Sequence, residues 1–122
     1  MYKEYKSGIY KITCNDCDKI YIGQTIFSCM KRYKQHDSKY RNKHYEQSAV
    51  ALHMYETGHN INDTNVHLLQ NVVDRRYLDI IETMQIYTAD ETLLMNREPG
   101  SLHMSKLIKH TTQNNVNQPV NY

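Results

Sequence analysis

The chain has 122 residues, 39% of them hydrophobic, with a formal net charge of +2 and a mean hydropathy of −0.78. That length and polarity predict one domain with a modest core. They exclude a membrane-spanning helix, because no apolar run approaches the ~20 residues a span needs.

The N-terminus lacks the apolar core of a signal peptide. Three cysteines, two of them in a Cys-x-x-Cys, suit a reducing compartment and a metal site better than a disulfide framework. The small net charge conceals an asymmetry. Residues 1–44 hold ten Lys/Arg against four Asp/Glu, and the remainder five against nine. A basic N-terminal half is what a phosphate-binding face needs, although a solvated charged helix accounts for the same residues equally well.

In chain order, residues 1–7 read as a polar lead-in. Gly8 to Thr13 and Lys19 to Gly23 alternate as strands around the turn formers Cys14-Asn15-Asp16-Cys17-Asp18, which predicts a β-hairpin. Folding about Asn15-Asp16 sets Tyr10 opposite Tyr21 and Gly8 opposite Gly23, with both phenols on one face. The period then changes. Ile26, Cys29, Met30 and Tyr33 form the apolar stripe of a helix, with Thr25 as N-cap. Arg32 and His36 are four apart and share a face. They lie about 90° from the middle of the stripe, on its shoulder, where they can border a cleft. Two tyrosines and an Arg/His pair can thus converge on a phosphate.

Ser38 to Gln47 reads as a basic helix end and loop. Ser48 caps a second helix from Ala49 to about Thr57, closed by Gly58. Asn60 to Asn65 is a turn cluster, and Val66 to Val73 is the third strand. Asp74 caps a helix running to about Tyr87, with Leu78, Ile81 and Met84 or Gln85 on its buried side and Glu82 at the edge of that face. Ala89-Asp90 breaks the pattern. Glu91 to Asn96 forms one or two helical turns, Pro99-Gly100 a bend, and Ser101 to His110 a last short helix. Thr111 to Tyr122 is Asn/Gln/Thr-rich and is expected to be a disordered tail, which leaves 1–110 as the domain.

Each of these residues has an ordinary explanation too. Tyr10 and Tyr21 can be strand packing residues, and Arg32 a surface arginine. Glu82 can be a solvated helix carboxylate, and Asn96 a turn residue bonded to its own backbone. Cys29, on the apolar stripe, reads as an inert buried thiol. Cys14 and Cys17 are more telling. A Cys-x-x-Cys knuckle at a hairpin tip brings two thiolates onto one tetrahedral zinc and needs two further ligands. His53 and His59 are the expected pair, with His44 and His36 as rivals. His36 is left to the active site because it shares the face of Arg32.

Gly8-Ile9-Tyr10 and Tyr21-Ile22-Gly23 match the two signature tripeptides of the GIY-YIG nucleases, which the chain resembles over roughly residues 5–105. Arg32 and His36 stand where that family carries its catalytic arginine and a frequent active-site histidine. Glu82 and Asn96 fit its metal-binding glutamate and late asparagine. The Cys-x-x-Cys between the tripeptides, with later histidines, is similar to the endonuclease domain of Penelope-like retroelements. The resemblance implies an α/β fold, a small three-stranded antiparallel sheet flanked by helices with a zinc knuckle at the hairpin. It also implies a DNA endonuclease using Mg2+ or Mn2+ held by Glu82. Tyr10 would be general base with Tyr21 beside it, Arg32 would stabilise the transition state, and His36 would move a proton or hold the phosphate. Asn96 would orient a tyrosine or the substrate. The implied partners are DNA and a fused reverse transcriptase with its RNA, and the expected location is nuclear, or shared between cytoplasm and nucleus, in a reducing compartment. Two rival classes use the same residues: a non-catalytic, zinc-stabilised nucleic-acid-binding module, and a zinc-knuckle protein-interaction domain.

Overall fold

The structure, a computed structural model, describes residues 7–96. The rest of the expected lead-in, the Pro99-Gly100 bend, the helix over 101–110 and the tail from 111 lie outside the described residues.

Strand β1 (Gly8–Thr13) and strand β2 (Ile20–Thr25) form the expected antiparallel hairpin. Its loop is closed by the Cys14 N–H donating to the Lys19 carbonyl at 3.2 Å. The register differs from expectation. Tyr10 pairs with Gly23, Ile12 with Tyr21 and Gly8 with Thr25, so the turn is centred one residue later than Asn15-Asp16. The change in pairing is two residues along β2, which keeps both phenols on one face but sets them diagonally. The reason is steric. A Cβ on Gly23 would lie 2.6 Å from Tyr10 Cζ, so only a glycine lets the Tyr10 ring cross the strand there.

Strand β3 (Val66–Asn71) pairs antiparallel with the other side of β1, giving the order β2-β1-β3. The central strand is therefore covered on both faces. Tyr10 and Ile12 join Cys29, Val50 and Met54 on one side, while Ile9 joins Ile22, Leu78 and Ile86 on the other. Helices α1 (Cys29–Arg41) and α2 (Ala49–Thr57) supply the first layer and α3 (Leu78–Thr88) the second.

Helix α1 starts later than expected. Thr25 ends β2 rather than capping the helix, and its hydroxyl accepts from Phe27 and Ser28 N–H to hold a turn. Ser28 is the N-cap, accepting from Lys31 N–H. Ile26 consequently lies off the helix and is 56% exposed. Helix α2 matches the expectation: Ser48 accepts from Ala51 N–H, and Gly58 takes the left-handed φ of 73° that ends it. Asp74 caps a short 3-10 turn (Arg75–Tyr77) that feeds α3. The buried line of α3 is Leu78, Glu82, Thr83 and Ile86, so Met84 points outward and Glu82 is inside the face rather than at its edge. After a 3-10 turn (Glu91–Leu93), Leu94 bridges Ile20, and Met95 N–H donates to the Ile20 carbonyl, lining the outer edge of β2. Among the described residues no helix is long and apolar enough to cross a membrane.

Candidate active site and metal centre

Tyr10 is fully buried, its ring lying over Gly23 and 6.1 Å from that of Tyr21. Its Oη is 3.1 Å from His36 Nε2, and the other ring nitrogen, Nδ1, is 2.7 Å from Ser48 Oγ. Tyr21 meets the His36 ring edge-on at 4.8 Å. His36 is thus buried at the centre of the α1 contact rather than on its shoulder, since Cys29, Tyr33 and His36 lie on the side that meets the sheet and α2. Both its nitrogens face protein groups, which leaves neither for a phosphate. Burial, then the Arg32 charge, push its pKa down to about 4, so the imidazole is neutral at pH 7. Burial, then Tyr21, push the Tyr10 phenol far above its ordinary value, while the charge of Arg32 and a hydrogen bond from it pull the other way.

Arg32 links the groups. Its charge acts on Tyr10, His36 and Glu82 alike. Its Nη1 donates to Gln35 Oε1 at 2.6 Å, yet its Nε is buried and has no partner among the described residues. A buried donor left unpaired costs free energy, and among the described residues this nitrogen is the buried side-chain polar atom that lacks a partner. Arg32 lines a cleft of about 560 Å3 together with Gln24, Ile26, Phe27, Lys31 and Arg75. That lining carries three cations and no carboxylate.

Glu82 reaches the site from the opposite layer. Gln24 Nε2 donates to Glu82 Oε1 at 2.6 Å and to Asp79 Oδ1 at 2.7 Å, holding the two carboxylates side by side. Burial raises the pKa of Glu82 and Asp79 adds to this, while Gln24 and Arg32 oppose them. A hard divalent ion binds through one or two carboxylates and keeps several waters, so Glu82 with Asp79 close by fits such an ion. Asn96 does not face the tyrosines. Its amide donates to the Ile22 carbonyl at 2.7 Å and accepts from Ile22 N–H at 3.0 Å, clamping β2 between Tyr21 and Gly23.

The hairpin tip carries a separate cluster. The ligand atoms of Cys14, Cys17, His53 and His59 all lie within 4.8 Å of one another. Cys14 Sγ is 3.5 Å from His59 Nδ1, and Cys17 Sγ is 3.5 Å from His53 Nε2. A tetrahedral ion with bonds of about 2.0–2.3 Å puts its ligand atoms roughly 3.3–3.8 Å apart, so these four groups fit one. Asp16 N–H donates to Cys14 Sγ at 3.4 Å, and Asp16 Oδ2 accepts from Asn60 N–H, tying the knuckle to the segment after α2. Burial, then His59, push the His53 pKa down, which favours the neutral, ligating form. The rivals stand elsewhere: His36 is at Tyr10, and His44 precedes the 3-10 turn Tyr45–Gln47.

A family model described as the GIY-YIG catalytic domain matches residues 6–98. The chain belongs to the GIY-YIG family. No curated protein and no solved structure gives a significant match. A GIY-YIG domain is a nuclease domain acting on DNA, and the sheet, its helices and the paired tyrosines agree with that membership.

Within this GIY-YIG domain the structure brings Tyr10, Tyr21, Arg32 and His36 together on one layer, with Glu82 within electrostatic reach. Sequence reasoning missed three participants. Ser48 was legible as a helix cap but not as a partner of His36, twelve residues away. Gln24 and Asp79 meet across 55 positions. Gln24 had one signal: it follows Gly23 on the opposite face of β2, the face α3 covers.

Proposed function

We propose that this domain is a divalent-metal-dependent DNA endonuclease that hydrolyses phosphodiester bonds. The observation that carries the reading is the pairing of Tyr10 with His36 next to the half-satisfied Arg32, which lines a basic cleft and acts electrostatically on Glu82 as well. Glu82 holds one Mg2+ or Mn2+, which supplies charge neutralisation at the phosphate when bound. Arg32, with Lys31 and Arg75, receives the phosphate backbone, and Phe27, 57% exposed at the cleft rim, offers a face for a base.

Tyr10 acts as general base in its phenolate form. A proton passes from the attacking water to Tyr10 Oη while the water oxygen bonds to phosphorus and the bond to the leaving sugar oxygen breaks. That oxygen takes its proton from solvent. Burial opposes the phenolate, and Arg32 favours it. Tyr21 packs against the His36 ring, and Asn96 fixes the strand that carries Tyr21.

Cys14, Cys17, His53 and His59 hold a structural zinc, a reading supported by their soft donor set and tetrahedral spacing. The zinc knuckle between the two signature tripeptides favours a Penelope-like element as the source of the domain. Its work is then to nick or cleave target DNA in the nucleus for a fused reverse transcriptase and its RNA.

The experiment is incubation of supercoiled plasmid with the zinc-loaded protein, with and without magnesium, beside Glu82→Ala. Magnesium-dependent conversion to nicked or linear DNA by the wild type alone is the expected result. Binding without cleavage by the folded wild type favours a nucleic-acid-binding module instead.

A further inference from the structure

Ser48 Oγ sits beneath the site, 4% exposed, between the N–H of Ala51 (3.0 Å) and Nδ1 of His36 (2.7 Å). Tyr10 Oη lies on the far side of the same imidazole at 3.1 Å. A hydroxyl has one proton and two lone pairs. Accepting from Ala51 uses one lone pair, which leaves two ways to complete the chain. In the first, Ser48 donates to Nδ1, and the imidazole carries its proton on Nε2 and donates to Tyr10. In the second, Nδ1–H donates to Ser48, and Nε2 accepts from the Tyr10 hydroxyl.

Each setting leaves one proton without an acceptor among the described residues. In the second it is the Ser48 proton, sealed under the start of α2. In the first it is the Tyr10 proton, at the atom that must lose it to act as a base. The groups facing His36 keep the ring neutral in either setting, and only the first points a donor at the Tyr10 oxygen. Tyr10 from β1 and Tyr21 from β2 are uncharged as phenols, Ser48 from α2 is neutral, and Arg32 on its own helix disfavours a second ring proton. Lys39 and Gln47, around the small cavity beside the ring, bring no carboxylate.

We infer that Ser48 is a positioning residue that fixes His36 as the Nε2–H tautomer, so that a run of donors from the N-terminus of α2 ends on the Tyr10 oxygen and stabilises its phenolate. His36 is then a donor to the base and not a second base. The choice of the first setting and its kinetic consequence both rest on the reading of Tyr10 above.

The test is long-range proton–nitrogen NMR of the imidazoles in the zinc-loaded full chain, with the His36 signals assigned from His36→Gln. Wild type and Ser48→Thr, which keeps the hydroxyl, are expected to show Nε2–H. Ser48→Gly keeps a tolerated N-cap but removes the hydroxyl. It is expected to lose the single tautomer and to slow single-turnover cleavage about tenfold, the effect of one pKa unit at Tyr10, with DNA affinity unchanged. An Nδ1–H signal in the wild type overturns the inference and makes His36 the acceptor of the Tyr10 proton. A Ser48→Gly protein with wild-type tautomer and rate overturns it as well. Should Ser48→Gly fail to fold, the wild-type and Ser48→Thr spectra still decide. An Nε2–H signal in a protein that cuts no DNA upholds the tautomer and removes the nuclease reading alone.

Discussion

Protonating His36 in the folded chain means placing a second ring proton on a side chain that is 8% exposed and sits beside Arg32. Its folded pKa of about 4 lies below the ordinary 6.5, so between these values the unfolded chain binds the extra proton and the folded chain does not. The stability due to the neutral ring is therefore complete above pH 6.5, declines as the pH falls, and levels off below about 4. The loss is at most about 3 kcal/mol. Urea denaturation of wild type and His36→Gln at pH 7 and pH 4.5, both with zinc, isolates this from losses common to both proteins. The wild type is expected to weaken more on acidification, and parallel losses contradict the assignment.

Among the elements, the β2 strand decides where the chemistry sits. A Cβ at Gly23 meets Tyr10 Cζ and Oη at 2.6 Å, and the fully buried ring has little space to retreat. Gly23→Ala is expected to destabilise by about 1–3 kcal/mol and to lower the single-turnover rate by displacing the phenol. Unchanged urea midpoint and rate would mean that the ring is not held there. The same strand shows how far local sequence reaches. Alternation and turn formers identified β1, β2 and the third strand, and the capping residues of α2 marked both its ends. The register escaped because a distant packing choice, Tyr10 over Gly23, outweighs turn symmetry. The start of α1 escaped because Thr25 and Ser28 are both good caps, and only the turn hydrogen bonds choose Ser28. Glu82 looked like an edge residue because its partner Gln24 lies 58 positions away. Long-range pairings of this kind leave no local pattern.

For the whole molecule, the Cys/His cluster and the candidate active site share β1 and α2. Cys14 follows the strand that carries Tyr10, and His53 lies on the helix that Ser48 caps. A domain of this size has a modest core, so a bound zinc contributes directly to folding. Cys14→Ser is expected to lose stoichiometric zinc and several kcal/mol of stability, read by metal analysis and thermal melting. A zinc-free preparation that melts like the wild type refutes the structural role. The central claim, that Tyr10 on the middle strand activates water for phosphodiester hydrolysis, is tested most directly by Tyr10→Phe. That change removes the oxygen and keeps the ring over Gly23. With enzyme saturating over DNA, the single-turnover rate is expected to fall by about 10²–10⁴ while DNA affinity stays the same. Equal rates for wild type and Tyr10→Phe would contradict the account.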